Sequence, residues 1–333
     1  HKIAGWAMVS PMMREKTPAR KISAPQNRPG GKSRGGGASR ARPLSDNLKA
    51  LFDHGEARPE RLAKRMAAAG LCSRRDAEKW ITDGRVMVNG ELHTSPAYNA
   101  APEDIITVDG KPLTRPEPPR LWRYYKPRGL VVSHRDEKGR KTMFEDLPAD
   151  LPRVISVGRL DLDSEGLILL TNSGELARHM ELPATGWSRK YRVRVHGRVE
   201  AEKLTALEEG ITIDGIHYRG VKATIDRQAN SNAWLTVVLK EGKNREIRRI
   251  MDTLGYPVSR LIRVSFGPFT LNTLEEGSIE EVRRAILRDQ LGLHREAEAQ
   301  DKTGTAKPGK PARRNPTGGR PKNAHHQRQK TRH

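Results

Sequence analysis

Residues 157–172 read VGRLDLDSEGLILLTN, a cluster of polar and turn-forming residues followed directly by the apolar run Leu167, Ile168, Leu169 and Leu170. A chain with this order must turn tightly and then enter a strand, so Arg159 and Asp161 are held on a loop at the end of a sheet. An aspartate in a turn ordinarily caps nearby N–H groups. The other role open to Asp161 is that of a nucleophile or base at the lip of a cleft, kept ionised by a neighbouring arginine. The same segment imitates the start of a calcium loop, but it has Asn172 where such a loop needs a bidentate glutamate, and a strand where it needs a helix.

The charge of the chain is unevenly spread. Its 333 residues hold 62 Lys and Arg against 40 Asp and Glu, a formal charge of +22, which favours a polyanionic partner. Residues 1–45 hold ten Lys and Arg against one Glu, and residues 302–333 hold ten with no acid. Both segments are rich in Gly, Pro, Ser, Asn and Gln, a composition that buries too little apolar surface to order a chain. Residues 1–57 and 294–333 are therefore expected to be disordered basic extensions attracted to phosphates in a salt-dependent way. A single cysteine, Cys72, excludes an internal disulfide and a cysteine-paired zinc site. No metal framework is visible, and no apolar run is long enough for a signal core or a membrane span. The expectation is a cytoplasmic, monomeric protein without metal or membrane attachment.

The length predicts about two folded domains. In residues 58–115, Leu62, Met66 and Ala69 form one apolar stripe that ends at Gly70, and Ser73 caps a second helix that runs to Thr82. Val86 and Val88 alternate as a strand toward the hairpin signal Asn89-Gly90, and Ile105, Ile106 and Val108 precede Asp109-Gly110. This helix-helix-hairpin pattern, with Leu71 to Ala77 and Gly84 to Gly90 in order, resembles the S4 RNA-binding domain. Arg74, Arg75, Lys79 and Arg85 fall at a helix start, a helix face and a strand start, where they are positioned to grip phosphates.

Pro116, Pro118 and Pro119 make a stiff linker, and residues 121–125 open a second domain spanning 116–293. Strands are expected at 131–133, 154–157, 166–170, 191–195, 221–225 and 234–239, and helices at 175–180, 201–209, 245–254 and 280–291. That mixture predicts an α+β fold around a largely antiparallel sheet.

Three further patterns carry chemistry. Residues 241–251, EGKNREIRRIM, are a glycine turn opening a helix whose first turns hold Lys243, Arg245, Arg248 and Arg249. Cations there oppose the helix dipole, so an anion should compensate them, either Asp161 or a phosphate. Arg248 is the expected partner of Asp161, because a guanidinium fork fits a carboxylate. Residues 188–195 alternate, with Tyr191, Val193 and Val195 on one face and cations on the other. Tyr191 is either a core ring or a platform for a base. Lys126, Pro127, Arg128 and Gly129 form a basic turn expected to contact phosphate.

Together, Gly158-Arg159-Leu160-Asp161, then Gly166 to Gly174, Lys190-Tyr191, Glu241 to Arg249 and Val258 to Gly267 closely resemble the RsuA/RluB-type pseudouridine synthases, with the RluB branch nearer. The resemblance spans residues 59–293 and includes the upstream S4-like module. It implies that Asp161 is the essential catalytic residue, that Tyr191 stacks on the target uracil, that Arg248 pairs with Asp161 and that Arg159 holds the base out of its stack. Lys243, Asn244, Arg245 and Arg249 join the RNA contacts. The implied reaction breaks the uridine C1′–N1 bond, turns the base and rejoins it through C5, without cofactor or metal. Attack by Asp161 on the sugar and removal of a ribose proton both remain open. The expected partner is ribosomal RNA of the large subunit, free or in an assembly intermediate. A small-subunit target and a non-catalytic S4-domain RNA-binding or ribosome-assembly protein are the alternatives.

Overall fold

The computed structural model describes residues 44–52 and 58–293. Residues 1–43 and 294–333, where composition predicts disorder, lie outside the described residues. One part of the expected basic extension folds: Leu44–Phe52 is a helix, and its Leu48 and Phe52 are buried in the main core. The backbone carbonyl of Phe52 accepts a hydrogen bond from Arg284 at 2.8 Å. These apolar residues sit beyond the basic run, so an average over residues 1–57 conceals them.

The first folded module packs helices Leu62–Ala68 and Arg74–Thr82 on a four-stranded sheet. Ser73 caps the second helix by accepting from the Asp76 N–H at 3.1 Å. Its small core joins Leu62, Met66, Ala77, Ile81, Val86, Val88, Ile106 and Val108. Asn89-Gly90 and Asp109-Gly110 all have positive φ, the geometry that tight hairpins of matching twist require. The helix starts at Leu62 because Glu60 and Arg61 pair instead with Ala100 and Asn99.

The second module is built on one mixed sheet. Its main path runs Lys222–Gln228, Asn232–Leu239, Arg189–His196, Val258–Phe266, Glu165–Thr171, Leu121–Lys126 and Ile279–Glu281. Every neighbouring pair is antiparallel except Val258–Phe266 with Glu165–Thr171. The Glu165–Thr171 strand is buried at every position, so both its faces are covered. Leu167 and Leu169 face a core shared with helices Leu44–Phe52, Gly174–Glu181 and Arg284–Gln290. Ile168 and Leu170 face the opposite side, with Trp122, Tyr124 and Leu160. A further core on that side gathers Val193, Val195, Leu235 and Val237 under helix Glu246–Thr253.

Several elements differ from expectation. Residues 280–291 split into strand Ile279–Glu281 and helix Arg284–Gln290, because Glu280 and Glu281 pair with Arg123 and Arg120 beside the Leu121–Lys126 strand. Val131 makes one isolated bridge to Thr142 rather than a strand. The Val258–Phe266 strand and the hairpin Ile211–Ile213 to Ile216–Tyr218 had no predicted counterpart. Arginines interrupt the apolar pattern of the first, and the second is very short.

Gly166 joins the two halves of the sheet. Its φ is +101°, and a Cβ there would lie 2.4 Å from the Arg263 carbonyl oxygen and 2.8 Å from its nitrogen. Backbone atoms on both counts leave no room for a side chain. Gly166→Ala is expected to cost about 2–4 kcal/mol of stability, read as a lowered denaturation midpoint. An unchanged midpoint would show that the strands can separate freely at this point.

Candidate active site

The loop between Val157 and Glu165 is fixed mainly through its backbone. The Gly158 N–H donates to the Glu181 carboxylate at 2.7 Å, and Leu160 is buried beside Tyr124 and Ile168. The Ser164 N–H closes the turn onto the Asp161 carbonyl at 3.1 Å, and the Gly129 N–H donates to the Leu162 carbonyl at 2.8 Å. Beneath the turn lies Lys126. Its ammonium donates to the carbonyls of Pro127, Asp161 and Ser164 at 2.9, 3.2 and 2.8 Å. Lys126 is fully buried, so it is not the phosphate contact expected of a basic turn. The alternation of its strand turns it inward with Trp122 and Tyr124. Burial pushes its ammonium down to about 8, against the pull of Asp161, Asp163 and Glu165.

Above the loop stands the start of helix Glu246–Thr253. Arg245, its N-cap residue, has φ +50° and ψ 31°, a left-handed conformation seldom taken by a side chain of this size. That geometry brings the Arg245 guanidinium 3.3 Å from the Asp163 carboxylate and 3.9 Å from that of Asp161. Arg248 lies deeper, 7% exposed. It donates to the Asp163 and Val258 carbonyls at 3.0 and 3.1 Å, and its charge partner is the Asp163 carboxylate at 3.2 Å.

The expected pairing of Arg248 with Asp161 is thus replaced. The 161–164 turn presents Asp163 to the helix, and Arg245 is the cation near Asp161. Both carboxylates are about one-third exposed, and Arg159 is exposed with no hydrogen bond or ion pair among the described residues.

Tyr191 is half-buried where the Leu160 cluster meets the core under the Glu246–Thr253 helix. It lies beside Arg263, a buried guanidinium whose Nε donates to the Leu167 carbonyl at 2.7 Å and whose Nη2 has no partner. The sequence reading did not single out Arg263; its signal was a cation inside the apolar run of residues 261–264. Glu246 was also missed. It is buried, accepts from the Lys243 N–H at 2.9 Å and leaves Oε1 without a donor, so burial raises its carboxyl to about 7.

The other predicted contacts divide into exposed and engaged groups. Arg74, Arg75, Lys79, Arg128, Asn244 and Arg249 are exposed. Arg85 instead pairs with both oxygens of Asp109 and stacks 4.4 Å over Trp80. Lys243 is tied to Glu241 at 2.9 Å and to the His217 carbonyl at 2.5 Å, which fixes the turn before the helix. Among the described residues, no helix is long and apolar enough to cross a membrane.

The arrangement presents a carboxylate at a sheet end 3.9 Å from an arginine, with a half-buried tyrosine packed against the cluster that holds the neighbouring Leu160. Comparisons with known proteins agree on what such a chain resembles. Residues 120–253 match the family described as RNA pseudouridylate synthase, and residues 60–106 match the S4 domain. An uncharacterized RNA pseudouridine synthase of Rickettsia felis is 49% identical over 228 residues, covering 68% of this chain and 99% of that protein. Ribosomal large subunit pseudouridine synthase B of Haemophilus influenzae is 37% identical, covering 73% of this chain and 71% of that one. The Pseudomonas aeruginosa protein of the same name is 40% identical, covering 70% of this chain and 63% of its own. A crystal structure of a pseudouridylate synthase superposes with a TM-score of 0.50 at 28% identity, covering 70% of this chain and 99% of that one.

Glu246 gives a pH test of the site's packing. A carboxyl whose folded value is raised binds its proton more tightly folded than unfolded, so its stabilising contribution is full below about 4.5 and is lost as pH rises through about 7. Glu246→Gln should therefore match the wild type near pH 4 and exceed it by about 2–3 kcal/mol near pH 8 in denaturant titrations. Parallel stability curves across that range would show that Glu246 is not held protonated.

Proposed function

The chain belongs to the RNA pseudouridine synthase family, and from that membership we propose that it isomerises a specific uridine of large-subunit ribosomal RNA in the cytoplasm. The observation that carries the catalytic reading is the presentation of Asp161 on a backbone-clamped loop, 3.9 Å from Arg245 and two residues before Asp163, the ion-pair partner of the buried Arg248.

In this reading Asp161 acts on the ribose. Attack at C1′ and removal of a ribose proton both require an accessible carboxylate, and the Asp161 side chain is about one-third exposed. The uracil leaves C1′ at N1, turns, and bonds again through C5; N1 gains a proton and the C5 proton passes to solvent. A stacked base must first leave its stack, at about a few kcal/mol. Arg159, exposed beside the loop, holds the base out, and the Tyr191 ring supplies its stacking surface. Arg248 acts as a positioning residue through Asp163. Residues 58–115 grip the flanking RNA through Arg74, Arg75 and Lys79, while Arg128, Asn244 and Arg249 line the approach to the catalytic domain, residues 116–293.

Asp161→Asn should bind RNA with wild-type affinity and lose tritium release from C5-labelled uridine RNA by about a thousandfold or more. Full release by that variant would remove Asp161 from the chemistry. Mapping pseudouridines in both ribosomal RNAs, with and without the gene, should show the loss of one large-subunit site. Loss of a small-subunit site instead would keep the chemistry and move the target.

A further inference from the structure

The Arg189–His196 strand has two faces with different fates. Val193 and Val195 are buried, whereas Lys190, Arg192, Arg194 and His196 are exposed on the face opposite Tyr191. The neighbouring Asn232–Leu239 strand continues this division. Ala233, Leu235, Val237 and Leu239 are buried, and Asn232, Trp234, Thr236 and Val238 are half-covered on the basic side. Antiparallel register sets Arg192 opposite Thr236 and Arg194 opposite Trp234. The helices that cover this side of the sheet pack over Leu167 and Leu169, so the outer strands present an open surface among the described residues.

Most of the cations on this surface are unpaired, in contrast to several arginines of this molecule. Arg120 and Arg140 each meet both oxygens of a carboxylate, from Glu281 and Asp136, and on this face Arg260, opposite Arg194, does the same with Glu165. Lys190, Arg192 and Arg194 have no ion-pair or hydrogen-bond partner for their charged groups among the described residues. Asp226, on the same side, accepts from the Thr236 hydroxyl at 2.9 Å and forms an ion pair with none of the three. Three unneutralised charges at alternate positions of one strand repel each other, a cost that a bound polyanion removes. Arg192 lies 4.9 Å over the Trp234 ring, and a cleft of about 450 Å³ lined by Tyr125, Lys190, Arg192 and Asn272 adjoins them.

We propose that this open sheet face is a second RNA-binding surface, on which single-stranded RNA flanking the target uridine lays phosphates along Lys190, Arg192 and Arg194 and stacks a base on the Arg192–Trp234 pair. The proposal rests on the reading of the substrate as RNA. A sheet with an aromatic and flanking cations suits single strands, whose bases stack without sequence preference. An acidic protein is the competing occupant, since Tyr125, Ile262, Val264 and Leu271 also line the adjoining cleft, and the test below separates the two.

The test uses the full chain and a uridine 20-mer as probe. A triple variant, Lys190→Gln with Arg192→Gln and Arg194→Gln, is compared with a charge-matched control, Arg198→Gln with Lys203→Gln and Arg219→Gln, taken from segments that pack against the other face. In the first triple, affinity at 0.1 M salt should fall about tenfold, and the slope of log K against log salt should shrink by about 2, as expected for three single-strand phosphate contacts. The control should change neither by as much, and both should unfold at the wild-type midpoint. An unchanged slope, or an equal loss in both triples, overturns the proposal. Loss of binding to a glutamate 20-mer with RNA binding intact overturns it in favour of an acidic protein. Turnover of a short uridine-containing stem-loop should persist in the first triple. Its absence in the wild type would defeat the catalytic reading while leaving the binding comparison decisive.

Discussion

The buried ammonium of Lys126, donating to three backbone carbonyls, is the interaction on which the loop of Asp161 depends. Carbonyls have no charge to offer, so burying a lysine among them is costly unless each proton is used. Here the donors reach Pro127, Asp161 and Ser164 on both sides of the turn. The nearby carboxylates of Asp161, Asp163 and Glu165 supply the compensating field. Removing the ammonium would take a donor from three carbonyls and leave three carboxylates without a common cation.

A second constraint acts from above. Arg245 takes a left-handed backbone conformation and Arg248 is nearly buried, two arrangements that cost free energy in isolation. Each is stabilised by Asp163, whose carboxylate forms an ion pair with both arginines and whose carbonyl accepts a hydrogen bond from Arg248. Asp163 therefore neutralises the helix start and leaves the Asp161 carboxylate without a hydrogen bond from either guanidinium. Gly166 completes the frame by letting the strand after the loop approach Arg263 at backbone distance. Loop, helix and sheet thus meet within a few residues of one turn.

The sequence foretold the elements whose signals are local. The two hairpin turns with positive φ, the Ser73 cap, the Glu165–Thr171 strand and the Gly174–Glu181 helix follow from turn chemistry and apolar runs. What it did not disclose depends on distant partners. Lys126 reads as a surface cation until strand alternation and its three carbonyl partners show it to be buried. Choosing between Asp161 and Asp163 as the partner of Arg248 needs the direction of each side chain within a four-residue turn, which spacing does not encode. Arg263 and the Val258–Phe266 strand were hidden by charges in an apolar segment, and those charges face opposite sides of the sheet for different reasons. Leu44–Phe52 was hidden by the basic residues before it.

The most direct test of this account is single-turnover kinetics of Lys126→Met on saturating RNA, beside equilibrium binding of the same RNA across a salt series. If Lys126 clamps the loop, the rate of isomerisation falls about a hundredfold or more while affinity and salt slope stay at wild-type values. A rate that is preserved at saturation, with weaker binding and a shallower salt slope, would make Lys126 a phosphate contact and contradict the account.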